Sequence, residues 1–413
     1  MKRILFLLIT ATIVSVTVTA QLKDFTYKFY GRVRGDVFYN NRHNVESVEG
    51  TFVLYPSDIK SDANGEDLNS VPNTGNFIFC TRLGLDVTGP MLLNARSSAK
   101  IETDFGGFST AVLGNFTTLR IRHAYIKLDW EHASLLAGQT WHPLFGDVLP
   151  NIINLNTGSP FQPFNRSPQF QYNYKFSKFN LRAATVFQNQ YRSSGPKGAK
   201  VMDYSRDAVL PELYAGIDYR SKGLLAGVGV DMLTLAPRTQ STKGELTFKV
   251  SERNVSTSVT AFASYTSEWW KLNAKTIYGQ NNVHTLSLGG YGVSSIDPLT
   301  NEYKYVNFNH STSWVNVVYG KTWQVGVFGG YTKNLGTNKP LANSSLVYGM
   351  GLDIDQLYCV SLQTSYNFKQ FTVGAEYSYT SADYGTIQEA TGKVVDTHAA
   401  HNHRVAALFS YSF

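Results

Sequence analysis

The sequence predicts an all-β chain that closes into a transmembrane antiparallel β-barrel of about sixteen strands. Three observations support this class. Apolar and polar residues alternate with period two through most of the chain. Aromatic residues often stand at the ends of the apolar series, and short connections alternate strictly with long ones. The composition agrees, because 14% of the 413 residues are aromatic and only 16% are charged.

The first twenty residues predict a secretory signal peptide. Lys2 and Arg3 give a positive start, residues 4–18 are mostly apolar, and Ala20 ends a short cleavage-site pattern. The alternative is a membrane anchor, but the apolar stretch is short for a span and no stop-transfer charges follow it. We therefore expect residues 1–20 to be removed and residues 21–413 to form a single barrel domain.

The composition of the remaining chain excludes several other classes. Disorder is disfavoured by the many aromatic residues, and a bundle of membrane helices by the absence of further long apolar stretches. Two cysteines cannot build a disulfide-rich scaffold or a cysteine zinc site. Without Lys2 and Arg3, 35 basic residues face 30 acidic ones, a net charge of +5 with no dense basic cluster. Nucleic-acid binding is therefore not expected.

The alternation is clearest near the end of the chain. The odd-numbered residues form an apolar series there: Phe371, Val373, Ala375, Tyr377 and Tyr379. The even-numbered residues between them form a mostly polar series: Thr372, Gly374, Glu376, Ser378 and Thr380. A soluble β-sandwich would turn the apolar series to a core, whereas a membrane barrel turns it to lipid. Turning the polar series to lipid would cost about 2–4 kcal/mol for each mid-strand cation, among them Arg182, Lys271 and Lys275. The polar series is therefore expected to face a watery lumen.

The spacing of the turns favours the barrel over the sandwich. We predict strands near 25–40, 76–89, 94–106, 117–129, 132–141, 167–176, 178–191, 211–220, 223–236, 253–266, 269–280, 306–319, 321–333, 357–368, 370–382 and 402–413. Short turns follow every second strand, the first of them at Gly89-Pro90, and long loops fill the other connections. Outer-membrane barrels have this pattern, with short periplasmic turns and long extracellular loops.

The strand at 117–129 does not fit a simple alternation. Arg120 and Arg122 share a series with Ala124, Ile126 and Leu128. The two arginines could lie above the bilayer, face a neighbouring subunit, or follow a bulge that changes the series.

The polar series predicts a basic patch on one wall of the lumen. Its members come from neighbouring strands once the last strand closes against the first: Arg32, Arg34, Arg82, Lys100 and Arg404. Arg182 lies further round the wall. Guanidinium groups suit carboxylate and phosphate ligands. Alternatively, these cations only pair with lumen carboxylates such as Asp36, Asp86 and Glu102.

The loop at 142–166 is the predicted constriction. It carries Phe145, Phe161 and Phe164, although an outer loop would face water, and long loops of this kind are commonly functional. We expect it to fold inward, with Asp147 opposite the basic patch and a transverse field between them. The alternative is an ordinary surface loop.

Other candidate sites are weaker. His398, His401 and His403 are expected to be exposed polar residues of an outer loop, and no metal or other cofactor is expected. Cys80 and Cys359 lie on strands that are not neighbours, so no disulfide is expected. The sequence has no nucleophile elbow, phosphate-binding loop or zinc-protease motif.

Three features of the sequence carry a resemblance to a known family. They are residues 29–36, FYGRVRGD, residues 122–128, RHAYIKL, with residues 137–141, AGQTW, and the alternating aromatic end at Phe413. The resemblance is to Gram-negative outer-membrane porins of the sixteen-stranded trimeric type, especially dicarboxylate channels of the DcaP-like kind. It implies a homotrimer in the outer membrane of a Gram-negative cell, in contact with its lipid. It also implies that the barrel-assembly machinery recognises Phe413.

The resemblance further implies passive diffusion of small hydrophilic solutes, with a preference for anions such as dicarboxylates. An alternative is a barrel enzyme of the lipase or protease type, which would need a Ser/His or Asp/His pair on the outer wall or upper rim. His123 and His310 are the histidines considered for it. A receptor barrel whose loops bind a partner is a further alternative.

Overall fold

Sixteen long strands form one antiparallel sheet that closes into a barrel, as the sequence predicts. The computed structural model describes residues 24–413 except 49, 51, 79, 109–116, 200 and 201. The predicted signal peptide lies outside the described residues. The barrel strands are β1 Thr26–Asn40, β2 Asn73–Phe77 continuing as Arg82–Leu92, β3 Ala95–Phe108, β4 Thr117–Asp129, β5 Ala133–Trp141, β6 Arg166–Phe176, β7 Phe179–Val186, β8 Glu212–Ser221, β9 Leu224–Leu235, β10 Asn254–Thr266, β11 Trp270–Gln280, β12 Tyr303–Gly320, β13 Trp323–Thr337, β14 Ile354–Phe368, β15 Phe371–Ile387 and β16 Val394–Ser412.

The outer loops carry short elements of their own. They are strands Asn44–Val48, Phe52–Pro56, Ser194–Gly195, Gly198–Ala199, Gln240–Lys243, Leu246–Lys249, Gly289–Ile296 and Val347–Met350, the helical turn α1 Asp203–Arg206 and the 3₁₀ helix Asn282–Thr285. No helix in the described part of the chain is long and apolar enough to cross a membrane.

The barrel closes where the last strand meets the first. β16 pairs with β1 from Arg32 opposite Ser412 to Asn40 opposite Arg404. β1 also pairs with both parts of β2 on its other side. The sheet therefore has no free edge among the barrel strands, which a hydrocarbon environment requires.

The outer surface of the barrel is apolar and ends in aromatic residues. In β15, Phe371 is 56% exposed and Val373 49%, although both are hydrophobic. At the short-turn end, the rings of Phe371 and Tyr411 lie 4.8 Å apart and those of Trp270 and Tyr319 lie 4.7 Å apart. These rows match the aromatic girdle of a membrane barrel.

The first short turn lies four residues beyond the predicted one. Gly89-Pro90 is part of β2, at a register shift between Thr88 and Met91 that lets a proline sit in a strand. The Ser97 hydroxyl donates a hydrogen bond to the Pro90 carbonyl, 2.6 Å away. The turn itself is Leu93-Asn94, whose φ values of 53° and 60° are those of a tight hairpin turn. The prediction was wrong because glycine and proline also mark bulges.

The outer ends of several strands also differ from the prediction. β16 begins at Val394 rather than near residue 402, so His398 and His401 lie on the same strand as His403 instead of in a loop. β15 continues to Ile387, and the two strands pair up to that level. Backbone pairing thus extends beyond the region in which lipid dictates strict alternation.

A bulge in β4 explains the arginines that did not fit the alternation. Glu102 lies opposite His123 but Thr103 lies opposite Ile121, so Arg122 is an extra residue in its strand. Ile121 is exposed on the outer face, whereas Arg122 and His123 are both buried on the inner side. Of the three possibilities left open by the sequence, the bulge is the one observed.

Gly138 in β5 is expected to be indispensable to the wall. Its φ is 131°, and an added Cβ would press on the Ala124 carbonyl and lie 2.7 Å from the Tyr125 Cα. We expect Gly138→Ala to lower the free energy of unfolding by more than about 2 kcal/mol. Urea unfolding in detergent, followed by tryptophan fluorescence, measures this.

Gly329 in β13 is the matched control for this substitution. Its added Cβ would meet nothing closer than a Val315 methyl at 3.9 Å. Gly329→Ala should therefore leave the unfolding midpoint almost unchanged. Equal midpoints for the two variants would contradict the steric argument.

Candidate functional site

The loop between β5 and β6, residues 142–165, crosses the interior of the barrel. The backbone N–H groups of Ile153 and Asn154 donate to Glu376 Oε2 of β15, at 2.8 and 3.2 Å. The N–H of Asn151 donates to Asn316 Oδ1 of β12, 2.8 Å away. The loop thus contacts the wall opposite to the strands that it connects. We call it loop 3.

Apolar packing and a buried lysine hold the two ends of loop 3. Leu144 and Phe145 are each 1% exposed, and Lys275 of β11 donates to their carbonyl oxygens at 3.0 and 2.6 Å. Near the other end, Phe161 packs on Phe328 of β13, with ring centres 6.2 Å apart. These contacts fix the loop inside the lumen.

A cavity of about 460 Å³ lies between loop 3 and the wall formed by β1 to β4. Basic residues line one side of it, and aromatic residues from β5, loop 3 and the outer loops line the other. The basic residues are Arg32, Arg34, Arg82, Arg120 and Arg122, and the aromatic residues are Phe52, Trp141, Phe145, Phe164 and Tyr191. We call this space the arginine cavity.

The cavity contains three of the arginines predicted from the sequence, and they differ in their partners. Arg34 is buried and binds Asp36 with two nitrogen atoms, at 2.9 and 2.6 Å, while also donating to the Ile153 carbonyl of loop 3. Arg82 lies 3.5 Å from Glu102 without a hydrogen bond from its Nε. The Nε of Arg32 also has no hydrogen-bond partner. Arg32 and Arg82 are therefore the less compensated cations.

Arg120 and Arg122 complete the cavity and were not assigned to it from the sequence. Arg122 donates to Glu102 at 2.6 Å and to Asp104 at 2.8 Å, and Arg120 donates to Asp104 at 2.9 Å. The bulge in β4 turns both side chains inward. The only sequence signal for them was the broken alternation of that strand.

The cavity carries an excess of positive charge. Among the described residues, five arginines line it, and three carboxylates, Asp36, Glu102 and Asp104, pair with them. Two positive charges are left over. The guanidinium of Arg166 adds a further cation behind the aromatic side, 4.6 Å from the Trp141 ring centre.

Two other predicted members of the basic patch lie outside the arginine cavity. Lys100 binds Asp86 at 2.7 Å, further toward the short-turn end of the barrel. Arg404 is buried against the Asn40 side chain and the Gly50 carbonyl, at 3.0 and 2.9 Å.

Asp147 and Arg182 meet on another part of the wall. Asp147 Oδ2 accepts hydrogen bonds from Arg182 at 3.0 Å and from Arg220 at 2.5 Å. These three residues line a second cavity of about 420 Å³ near β6, β7 and β8. Asp147 therefore pairs with Arg182 and Arg220, not with the arginine cavity.

The histidines singled out from the sequence have ordinary partners or none. His401 and His403 contact the hydroxyls of Tyr379 and Tyr377 on the outer surface, at 2.8 and 2.7 Å. His398 Nε2 lies 2.6 Å from Asp58 Oδ1 on the outer rim, and this is an Asp/His pair of the kind that the enzyme alternative requires. Among the described residues, no serine or threonine hydroxyl contacts His398.

The two histidines considered for an enzyme lie inside the barrel. His123 contacts the Thr140 hydroxyl at 3.0 Å, and both ring nitrogens of His310 are buried without a hydrogen-bond partner. Neither belongs to a Ser/His or Asp/His pair on the outer wall. Cys80 and Cys359 are free thiols.

Comparisons with known proteins agree with the barrel. No protein-family model and no curated protein sequence matches the chain. Among solved structures, the outer membrane channel DcaP of Acinetobacter baumannii has a TM-score of 0.66 at 21% identity, over 95% of this chain and 99% of that one.

Two further solved structures share the fold. OmpF of Salmonella typhi, in complex with daunomycin, has a TM-score of 0.53 at 11% identity, over 94% of this chain and 97% of that one. The trimer form of OmpT, an outer membrane protein of Vibrio cholerae, has 0.51 at 13%, over 94% and 100%. These folds agree with the predicted location in a Gram-negative outer membrane. The chain has the sixteen-stranded barrel fold of outer-membrane porins, as the sequence predicts.

Proposed function

We propose that the chain is a passive diffusion channel of the Gram-negative outer membrane for small hydrophilic solutes, with a preference for anions. The observation that carries this proposal is the arginine cavity beside loop 3, with five arginines against three carboxylates. Loop 3 narrows the lumen at that level, and the selectivity of a pore depends on the charges at its narrowest point.

The chemistry of the cavity favours carboxylate solutes. Guanidinium groups present fixed pairs of donors that match the two oxygens of a carboxylate. Arg32 and Arg82 are the cations with donors to spare, and they lie opposite each other on β1 and β2. These two arginines would bind one carboxylate group of a small dicarboxylate, and the solute would then dissociate and continue through the pore. Asp36, Glu102 and Asp104 compensate part of the charge, so binding stays weak enough for release.

The surroundings of the barrel support the rest of the proposal. The exposed apolar outer face suits lipid, and the trimer form of the Vibrio cholerae OmpT supports a homotrimer. Phe413 directly follows β16, its backbone is hydrogen-bonded to that of Gly31, and the residue is 60% exposed. An exposed terminal ring of this kind is available to the barrel-assembly machinery.

Cys80 provides a native test of the channel. It is a free thiol that lines the arginine cavity. In planar bilayers, we expect open-channel steps without added substrate or energy source. An anionic methanethiosulfonate reagent should lower the conductance and the anion preference, and a thiol reductant should restore both. A cationic reagent should lower the conductance while leaving the pore anion-preferring.

Cys80→Ser is the control, because it keeps Cys359 but removes the thiol in the cavity. It should conduct like the unmodified chain and ignore both reagents. Silence in the bilayer, together with hydrolysis of a lipid or peptide, would instead support the enzyme alternative. Conductance that ignores the reagents in the unmodified chain would remove the arginine cavity from the conduction path.

A further inference from the structure

A second buried polar cluster lies at the base of loop 3. It consists of His142, the first residue of the loop, Glu212 at the start of β8, and His284 in the 3₁₀ helix Asn282–Thr285. The three side chains are 0%, 1% and 0% exposed. Their ligand atoms all lie within 4.8 Å of one another, and the Nε2 atoms of the two histidines lie 2.9 and 2.8 Å from Glu212 Oε1.

Several polar atoms of this cluster are buried without a partner. They are Glu212 Oε2, His284 Nδ1 and one oxygen of Asp231, a residue of β9 that contacts Glu212. Neither carboxylate has a salt bridge to a lysine or arginine in the described part of the chain. A carboxylate buried in a dry site without a cationic partner is costly, so a bound cation would stabilise Glu212.

We propose that His142, Glu212 and His284 bind one divalent transition-metal ion of the zinc class. Imidazole nitrogen and carboxylate oxygen are donors that zinc prefers, and two histidines with one carboxylate form a common zinc ligand set.

Metal binding requires a tautomer change at both histidines, because each Nε2 faces the carboxylate oxygen Oε1 of Glu212, which only accepts, and so carries the ring proton in the metal-free form. At His284 that proton moves to Nδ1, which has no hydrogen-bond partner. At His142 the change also breaks a hydrogen bond. Its Nδ1 accepts a hydrogen bond from the Leu144 N–H at 3.2 Å, so in the metal-free form the ring proton is on Nε2. A metal on Nε2 moves that proton to Nδ1, and the Leu144 N–H gives up its acceptor. The ring stays neutral, and the proton is moved within the ring and not lost from it.

The ion would join three separate segments at the base of loop 3. The His142 N–H donates to the Asn165 carbonyl at 2.9 Å, and the Asn165 side chain donates to the His284 carbonyl at 2.6 Å. The two ends of the loop and the 3₁₀ helix are thus already in contact. The metal would connect loop 3, through His142, and the 3₁₀ helix, through His284, to Glu212 of β8. This inference does not depend on the proposed channel function.

Refolding of the full mature chain tests the site, because a buried ion must enter before the barrel closes. The protein is refolded in detergent with ZnCl₂ and dialysed, and the zinc per chain is measured by elemental analysis. We expect one zinc ion per chain. Refolding with Co²⁺ in place of zinc should give a protein that absorbs visible light, with the absorption bands of Co²⁺ bound by histidine nitrogens. Mg²⁺ should not bind.

Variants locate the ion. Glu212→Gln and His284→Asn should each reduce the retained zinc at least tenfold, whereas the surface variant His401→Ala/His403→Ala should retain it. The proposal would be overturned if the unsubstituted chain contained no zinc after refolding. It would also be overturned if only the surface variant lost its zinc. If the cluster variants do not fold, anomalous X-ray scattering at the zinc edge decides on the unsubstituted chain. A peak away from the three side chains would equally reject the site.

Discussion

Replacing Arg32 and Arg82 together by glutamine is expected to abolish the anion preference of the proposed channel without unfolding the barrel. These two arginines line the arginine cavity, and their Nε atoms have no hydrogen-bond partner. Arg82 lies 3.5 Å from Glu102, but Arg122 also binds that carboxylate. The double replacement therefore removes two positive charges and leaves each carboxylate of the cavity with another arginine. Arg34 and Arg122 would be poorer choices, because their removal would leave buried carboxylates unpaired.

The size of the effect follows from Coulomb's law. A unit charge interacts with an ion about 6 Å away in water by about 0.7 kcal/mol. Two arginines therefore attract an anion by about 1.4 kcal/mol and repel a cation by about the same amount, so their loss should lower the ratio of anion to cation permeability by about a hundredfold in the absence of screening. The reversal potential across a salt gradient measures this ratio. Low ionic strength is preferable, because salt screens exposed charges.

The matched control removes the same charge from the other end of the barrel. Lys222 and Lys369 lie in short turns, and Lys222→Gln/Lys369→Gln should leave the reversal potential unchanged. If both double variants behave like the unsubstituted chain, the arginine cavity does not set the selectivity. If both shift equally, only the overall charge of the protein matters.

The sequence was sufficient for the barrel because lipid and water impose opposite demands on neighbouring residues. At the short-turn ends, strands such as β5 and β11 begin within a residue or two of their predicted positions. At the outer ends this constraint is absent, since both faces contact water or loops. There β16 extends from residue 402 back to Val394, beyond what alternation could reveal.

The site was predictable only where neighbouring strands keep regular alternation. Arg32 on β1 and Arg82 on β2 were placed on one wall because closure and side-chain parity determine that position. Arg122 was not, because one extra residue reverses the parity of a strand. Such a bulge is seen only when the residue-by-residue pairing of the two neighbouring strands is known, and the sequence of one strand does not show it.

The contacts made by loop 3 could not be predicted from the sequence for a different reason. Asp147 binds Arg220, 73 positions away, and His142 binds Glu212, 70 positions away. No motif spacing links residues that meet only after the loop has entered the barrel. The aromatic content of the loop indicated burial but not the partners.

Glu376→Ala is expected to loosen loop 3 and to raise both the conductance and the current noise of the open channel. Glu376 accepts the N–H groups of Ile153 and Asn154, and the Ser378 hydroxyl donates to its other oxygen at 3.0 Å. Alanine leaves two buried donors unpaired, at about 1–3 kcal/mol each. The inward position of the loop should then be populated less. The pairing of β15 with β14 and β16 is untouched, so the barrel should remain folded.

Glu389→Ala separates this effect from the loss of a glutamate as such. Glu389 also accepts a backbone N–H, that of Ser344 at 2.8 Å, but in an exposed outer loop. Its replacement should change neither conductance nor noise. Single-channel recordings of the two variants, with heat-modifiable electrophoresis to verify folding, make the comparison. If Glu376→Ala conducts like the Glu389→Ala control, then the remaining contacts of loop 3, such as those with Lys275 and Trp314, hold it without Glu376. A wider and noisier pore in Glu376→Ala alone would identify the loop as the element that limits the flow.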